Sequence, residues 1–454
     1  MKSLKLILIL AAILLIFYPV WKYIIKKSES KIKNSNVILI IVDTLRADHL
    51  SCYGYERNTS PNLDNFSSDS IRFKNAISPS SWTTPAIGSI FTSIYPTIIG
   101  YVNEPNVMDE SFNTMAEIFR LNGYITGGII SHAFIAKKLG FDQGFDYYNQ
   151  ENNKGHNHIS SQSVTELAIS CLNEFKEEKF FLFLHYFDPH NNYYMHDEFE
   201  YFPEYTGWVK SGQEVNSIRI NKKNLDKDDK EYLKALYDSE ISFTDHYIGK
   251  VLEKLKELEL YEDALIIFTA DHGEELAEKE DKWIGHAKKL SQTLIHVPLI
   301  IKLPGNKKKL IVDDYVGTID ILPTVVDFLD IKIPDGLEFY GEIIDLKKGK
   351  RRQNKPIFSE TFHGVEIISV VWDGLKLIHK LDKGSNEFYD LSIDPNEDNN
   401  VGKKEKEKLR EYKSILRKWW SSVVAQSQEL NLQKKYPEYD PETIENLKAM
   451  GYIK

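Results

Sequence analysis

Cysteine is scarce in this chain: Cys52 and Cys171 are the only two among 454 residues. Their scarcity excludes a disulfide scaffold and any zinc site built on thiolates, and it leaves the redox compartment unspecified. An excess of basic charge is also lacking. Lys plus Arg is 57 and Asp plus Glu is 67, a formal net charge of −10. No basic patch occurs outside the N-terminal flank and one short lysine-rich stretch, so nucleic acid is not an expected partner. Internal repeats are missing too. With 42% hydrophobic and 27% charged residues, the chain is neither disordered nor fibrous and carries enough apolar material for a large core.

Long apolar runs are confined to the N-terminus. Residues 6–20 form one, broken only by Pro19, and Trp21, Tyr23, Ile24 and Ile25 extend it past Lys22 towards the ~20 residues that a bilayer requires. A cleaved signal peptide would have a shorter apolar region ending at a small-residue site, whereas Trp21, Lys22 and Tyr23 follow here. Residues 1–25 are therefore expected to form an uncleaved transmembrane anchor and 26–35 a linker. Lys2 and Lys5 precede the run while Lys22, Lys26, Lys27, Lys31 and Lys33 follow it. Taken alone, that bias would keep the large domain inside, although large domains translocate largely regardless of flanking charge.

Beyond the linker, short β-rich runs alternate with helical stretches. Val37–Val42, 125–130, Phe180–Tyr186, 264–270 and 297–302 are expected to be buried strands of a mostly parallel sheet, flanked by helices at 115–122 and 229–258. In the longer helix Leu233, Leu236, Ile241, Ile248, Val251, Leu252 and Leu255 fall on one apolar face. The pattern is that of an α/β fold. From about residue 351 the texture changes to short strands, Ile367–Trp372 and 375–381, a polar loop over 394–400 and a charged helix over 403–420. The expected division is a catalytic domain at 36–350 and a smaller C-terminal α+β subdomain at 351–454.

Oxygen and imidazole ligands collect where strands end. Asp43 follows the first strand, Asp188 and His190 follow Phe180–Tyr186, and Asp271 and His272 follow 264–270; ligand sites of open α/β sheets lie at that edge. Each carboxylate alone could cap a helix, but together they point to a divalent metal, with zinc, manganese, calcium and magnesium all compatible. The segment Ser80-Ser81-Trp82-Thr83-Thr84-Pro85 reads as a helix start, with Thr83 or Thr84 at the cap. A hydroxyl at that positive helix end, beside a metal, is a candidate nucleophile towards an anionic ester. An ordinary capping threonine is the alternative reading.

Several ordered stretches resemble the sulfatase branch of the alkaline phosphatase superfamily. They are Val42-Asp43-Thr44-Leu45-Arg46-Ala47-Asp48-His49-Leu50, the helix start at 81–92, Gly140-Phe141-Asp142-Gln143-Gly144-Phe145-Asp146, Asp188-Pro189-His190, Asp271-His272-Gly273-Glu274, and Gly285-His286 with His296-Val297-Pro298. Phe388-Tyr389-Asp390-Leu391 and the terminal Ala449-Met450-Gly451-Tyr452-Ile453 look familial as well. The resemblance implies metal ligation by Asp43, Thr83, Asp271 and His272, with Thr83 as nucleophile. It implies that His190 contacts the ester or protonates the leaving group and that Lys288 holds the anionic group. His286 could protonate the leaving oxygen or ligate a second metal, since Gly285 before it permits close backbone approach to a ligand.

Two departures from the sulfatase pattern stand out. Sulfatases proper resemble Cys/Ser-x-Pro-Ser-Arg at the nucleophile, where Cys or Ser becomes formylglycine; Thr83-Thr84-Pro85-Ala86-Ile87 offers no convertible residue, no Ser and no Arg. Threonine there is more like the family's phosphodiesterases and phosphoglycerol or phosphoethanolamine transferases. Thr44 also replaces the second aspartate that many sulfatases carry beside the first. The expected function is a metal-dependent hydrolase of sulfate or phosphate esters, with an envelope phosphotransferase or a non-catalytic anion- or glycan-binding module as alternatives. The substrate is expected to be an anionic ester, glycan or lipid-linked, met by a membrane-anchored, extracytoplasmic catalytic domain. His185, His246 and His296 read as structural, and Asp245 as a buried or capping carboxylate.

Overall fold

A computed structural model describes residues 33–101, 106–153, 159–305 and 309–432. Its centre is an eight-stranded sheet. Along the chain its strands are β1 (Val37–Val42), β2 (Ile71–Ile77), β3 (Ile125–Ile129), β4 (Tyr147–Asn149), β5 (Phe180–Tyr186) and β6 (Leu265–Ala270). After the short hairpin of β7 (Glu275–Leu276) and β8 (Ile284–Gly285) come β9 (His296–Lys302) and β10 (Leu310–Gly317). The spatial order is β10-β2-β9-β6-β1-β5-β3-β4. β1 pairs in parallel with both β5 and β6, and β3 in parallel with β4 and β5. Only β9 runs against its neighbours, β2 and β6. The central strands Val-Ile-Leu-Ile-Ile-Val and Phe-Phe-Leu-Phe-Leu-His-Tyr are buried along their whole length, as expected for strands covered on both faces.

Helices flank the sheet. The helix Lys227–Glu257 packs on Ser161–Phe175 and Pro61–Ser68. It starts at a capping box in which Asp226 and Asp229 each accept the other's backbone N–H, rather than at 229. A second group comprises Thr83–Thr92, Met115–Leu121 and Ile321–Leu329. Beyond the small β11 (Ile344–Asp345) and β12 (Lys350–Arg351) pair, β13 (Ile357–Thr361), β14 (Ile367–Trp372), β15 (Leu375–Lys380) and β16 (Ser385–Asp390) form an antiparallel sheet. The helix Lys406–Leu430 covers that sheet, with Trp419 stacked on Phe358 at 4.5 Å between ring centroids. The boundary near residue 351 stands as a proposal.

The expectation of a membrane-anchored, extracytoplasmic catalytic domain is corrected. Among the described residues no helix is long and apolar enough to cross a membrane. The longest, Lys227–Glu257, presents a charged face along with its apolar one. The apolar segment at 6–25, most of the linker and the familial stretch at 449–453 lie outside the described residues.

Strand register positions the site. Val42 lies opposite both Ala270 of β6 and Tyr186 of β5. The carboxylates immediately after β1 and β6, Asp43 and Asp271, therefore leave the sheet side by side. Ile41 is level with His185, so that imidazole joins them one residue before β5 ends.

Candidate active site

Asp43 is fully buried, and neither carboxylate oxygen has a hydrogen-bond partner. Burial first, and then the neighbouring Asp271 and Glu274, pushes its pKa well above the ordinary value. Asp271 is equally buried; its Oδ1 accepts the backbone N–H groups of Thr44 at 3.2 Å and His272 at 2.8 Å, and its Oδ2 has no partner. Thr44 reaches it by adopting φ +55°, an unusual conformation for a β-branched residue.

Imidazoles close the other sides. His185 Nε2 lies 3.6 Å from Asp43 Oδ2. His272 Nε2 lies 3.7 Å from Asp43 Oδ1 and 3.4 Å from Asp271 Oδ2. His132 Nε2 stands 3.9 Å from Asp43 Oδ2. Because a carbonyl only accepts, the 2.9 Å contact to Gly273 makes His272 Nδ1 the protonated nitrogen and leaves Nε2 with its lone pair when the ring is neutral. Burial pushes His185 down to about 3, so its ring is neutral at ordinary pH.

Thr83 opens the wholly buried helix Thr83–Thr92 instead of capping it; the N-cap is Trp82, and Pro85 falls in the first turn. Its Oγ1 stands 3.4 Å from His272 Nε2, at the positive helix end. Thr84 instead donates to the Phe134 carbonyl at 2.9 Å. Asp43, Thr83, Asp271 and His272 are thus brought together.

His190 and His286 face each other, with ring centroids 4.8 Å apart, and His286 is 4.6 Å from His272. His190 donates Nδ1–H to the Asn191 carbonyl at 2.9 Å and stacks on Phe187. His286 Nδ1 lies 3.0 Å from Glu274 Oε1. Burial holds the Glu274 carboxyl up at about 7 and the His286 imidazole well below its usual range. Lys288 sits further out. Its ammonium donates to the His363 carbonyl at 2.6 Å. It lines a cleft of about 780 Å³ at the junction with the C-terminal sheet, where Lys279, Lys289, Lys380 and Lys383 are interspersed with Glu275, Glu280, Asp281, Asp382, Glu387, Glu397 and Asp398.

Asp43, His185 and Asp271 each offer one ligand atom, and those atoms all lie within 4.8 Å of one another. Buried carboxylate oxygens without partners, beside the neutral imidazole of His185, form a donor set that a divalent cation fits.

Residues 35–331, well over half of the chain, match the family model Sulfatase. Residues 283–425 match N-sulphoglucosamine sulphohydrolase, C-terminal. The chain belongs to the sulfatase family of the alkaline phosphatase superfamily. Members of this family hydrolyse sulfate and phosphate esters and are generally metal-dependent.

Among curated sulfatases, the chain is 26% identical to the uncharacterized sulfatase YidJ of Escherichia coli (strain K12), covering 81% of this chain and 83% of that one. It is 26% identical to an arylsulfatase of Clostridium perfringens over 83% of this chain and 92% of that one. Against iduronate 2-sulfatase of Homo sapiens the identity is 26%, over 61% and 60% respectively. Among solved structures, BT4656 in complex with its substrate D-glucosamine-2-N,6-O-disulfate superposes with a TM-score of 0.70 at 18% identity, covering 87% of this chain and 98% of that one. The phosphonate monoester hydrolase of Agrobacterium radiobacter superposes at 0.66 and 18% identity, over 87% and 96%.

In this sulfatase-family chain several site residues differ from expectation. His185, read as structural, faces Asp43; its alternation within an apolar strand hid it, and only the register with β1 reveals it. His132 comes three residues after the end of β3, so a looser strand-end rule could have found it. Asp188 turns away from the centre. It accepts the backbone N–H of Ser160 at 2.6 Å and of Ser161 at 2.7 Å, fixing the start of the Ser161–Phe175 helix. Gly285 admits a protein side chain rather than a ligand: its φ is +112°, and Arg219 lies against its Cα. Asp245 caps Pro61–Ser68 by accepting the Asn62 and Leu63 N–H groups, and His296 contacts the Lys74 carbonyl.

Proposed function

We propose that this chain is a metal-assisted hydrolase of phosphate esters that uses Thr83 as its nucleophile. The observation that carries the reading is the Thr83 hydroxyl at a helix N-terminus, 3.4 Å from His272 Nε2, beside the paired carboxylates of Asp43 and Asp271. Asp43, Asp271, His272 and Thr83 would hold the ion, which would lower the hydroxyl's pKa and polarise an ester oxygen.

Its proton lost to solvent, Thr83 Oγ1 forms a bond to phosphorus as the bond to the leaving oxygen breaks. That oxygen takes its proton from the His190 and His286 side of the pocket, where Glu274 backs His286. Water then attacks the phosphoryl-threonine at the same phosphorus, the bond from phosphorus to Oγ1 breaks, and a proton from that water restores the Thr83 hydroxyl. Lys288, on the rim, would contact the remainder of an anionic substrate.

Phosphate is preferred because Thr83 cannot become an aldehyde, so its covalent ester has to be cleaved by a second attack at the central atom. Sulfate esters are the second reading, favoured by the relatives named as sulfatases and by a neighbour whose substrate is a disulfated glucosamine. Transfer to an acceptor hydroxyl instead of water would use the same first step. Binding of an anion or glycan without turnover would leave Thr83 idle.

Purified protein supplied with a divalent ion and assayed on aryl phosphate, phosphodiester and aryl sulfate substrates tests this. Turnover of a phosphate ester is expected, with Thr83→Ala slower on the order of 10³-fold or more. Quenched wild type should carry a phosphoryl group on the peptide containing Thr83. Inertness of both proteins on every substrate, or full activity of Thr83→Ala, overturns the mechanism.

A further inference from the structure

We infer that His185 is a direct metal ligand, and that the site therefore selects an imidazole-accepting ion such as zinc, cobalt or manganese over calcium. The inference rests on the metal-assisted reading above and concerns which ion is held.

His185 Nε2 and Asp43 Oδ2 are 3.6 Å apart, too far for a hydrogen bond, and none of these three atoms, His185 Nε2 and the two Asp43 oxygens, has another hydrogen-bond partner. All are fully buried. Leaving three such atoms unsatisfied carries a desolvation cost for each, which a merely structural histidine would not explain. Two atoms bound to one ion at ~2.1 Å stand roughly 3.0–3.4 Å apart, depending on the bond angle. His185–Asp43, His272–Asp43 and His272–Asp271 are 3.4 to 3.7 Å apart, and the ligand atoms of Asp43, His185 and Asp271 all lie within 4.8 Å of one another, so a modest contraction would close these donors around an ion.

The ring is already oriented. Ser131 Oγ lies 3.5 Å from His185 Nδ1 while donating its proton to the His185 carbonyl at 2.7 Å. That arrangement suits a protonated Nδ1 and directs the Nε2 lone pair to the carboxylates, as outer partners of metal-bound histidines do. The resulting donors are two carboxylates and two imidazoles, with Thr83 as a fifth. Calcium takes oxygen donors, six to eight of them, whereas imidazole suits zinc and its first-row neighbours. Thr44, beside Asp43, adds no further negative charge to compensate.

Metal-stripped full-length protein is given equimolar calcium and zinc, and bound ions are counted after desalting. Wild type is expected to take up zinc over calcium by at least ~100-fold. His185→Gln should weaken zinc on the order of 100-fold while leaving calcium nearly unchanged. X-ray absorption on zinc-loaded wild type should count two imidazole nitrogens, a readout that holds even if the variant fails to fold. Calcium preference in wild type, a single imidazole, or a folded His185→Gln with unaltered zinc affinity overturns the assignment. Asp43→Asn separates the two levels: ions that depend on Asp43 but not on His185 sink this inference alone, and no ion bound to wild type sinks the metal reading beneath it.

Discussion

A Cβ on Gly285 would stand 2.1 Å from Nη2 of Arg219, so the guanidinium occupies the space that any other residue at 285 would fill. Arg219 is fixed there by its Nε–H to the Ile284 carbonyl at 2.7 Å and by a cation–π contact with Trp283. The loop that carries His286 is thus shaped by a helix, Val215–Ile220, far from it in sequence. Gly285→Ala adds both this clash and the strain of φ +112°, and should lower stability by about 1–3 kcal/mol. Arg219→Ala removes the clash but not the strain. The double variant should therefore be less destabilised than the sum of the two, as urea denaturation of all four proteins would measure. Strict additivity would mean that the two residues do not constrain each other.

Asp43 carries the second prediction, in which the sign depends on the ion. Without metal, its raised pKa means that the fold favours the protonated form. The contribution to stability is present below the ordinary carboxylate value and is lost as pH rises through the raised one. At pH 7.5 the metal-free Asp43→Asn protein should therefore melt a few degrees above metal-free wild type. Wild type should gain stability when a divalent ion is added and the variant should gain little or none, because binding to the native state alone shifts unfolding. Equal metal-induced shifts in both would remove Asp43 from the ligand set.

Much of this architecture was legible because the central strands are continuous apolar runs. β1, β5 and β6 stand where the runs of Val, Ile, Leu and Phe demand. β2 and β10 were not foreseen: Arg72 and Lys74 interrupt the first, and Asp313 and Asp314 the second. Their patterns are those of strands only half covered by the core. The helix Ser161–Phe175 also went unread, although Val164, Ala168, Cys171, Leu172 and Phe175 recur at helical spacing along its buried face. At the site, Asp43, Thr83, Asp271 and His272 could be found because each sits at an element end. His185 could not, since its importance depends on register with β1, and nothing in the local sequence of Asp188 shows that it caps a helix start 27 residues earlier in the chain.

Glu360 offers a pH prediction clear of the metal ligands. It is fully buried in β13, and burial pushes its carboxyl up to about 7 although it accepts both the N–H and the hydroxyl of Thr97. A carboxyl whose folded pKa is raised contributes stability below its unfolded value, and that contribution is lost as pH rises through the folded one. Wild type should lose on the order of 3 kcal/mol between about pH 4.5 and pH 7 from this group. Glu360→Gln cannot titrate, so its melting temperature should vary less over that window, even if losing an acceptor costs about 1 kcal/mol at every pH. Parallel melting profiles for the two proteins would show that Glu360 is ionised throughout.

Leaving-group dependence distinguishes His190 from His286. Both rings border the space beyond Thr83, and His286 shares a proton with a carboxylate, Glu274, whose own pKa of about 7 keeps a proton available near neutral pH. The residue that protonates the departing oxygen should matter for an alkyl ester, whose alkoxide is a poor leaving group, and hardly at all for a nitrophenyl ester, which leaves without help. Replacing that residue by alanine should slow the alkyl substrate roughly 10²–10⁴-fold and the nitrophenyl substrate far less. If His286 is the donor, Glu274→Gln should reproduce its selectivity in milder form and move the basic limb of the pH–rate profile, whereas changes at His190 should leave that limb in place. Should both alanine variants slow the two substrates equally, neither histidine is the acid, and their role is to bind the ester or to orient its anionic group.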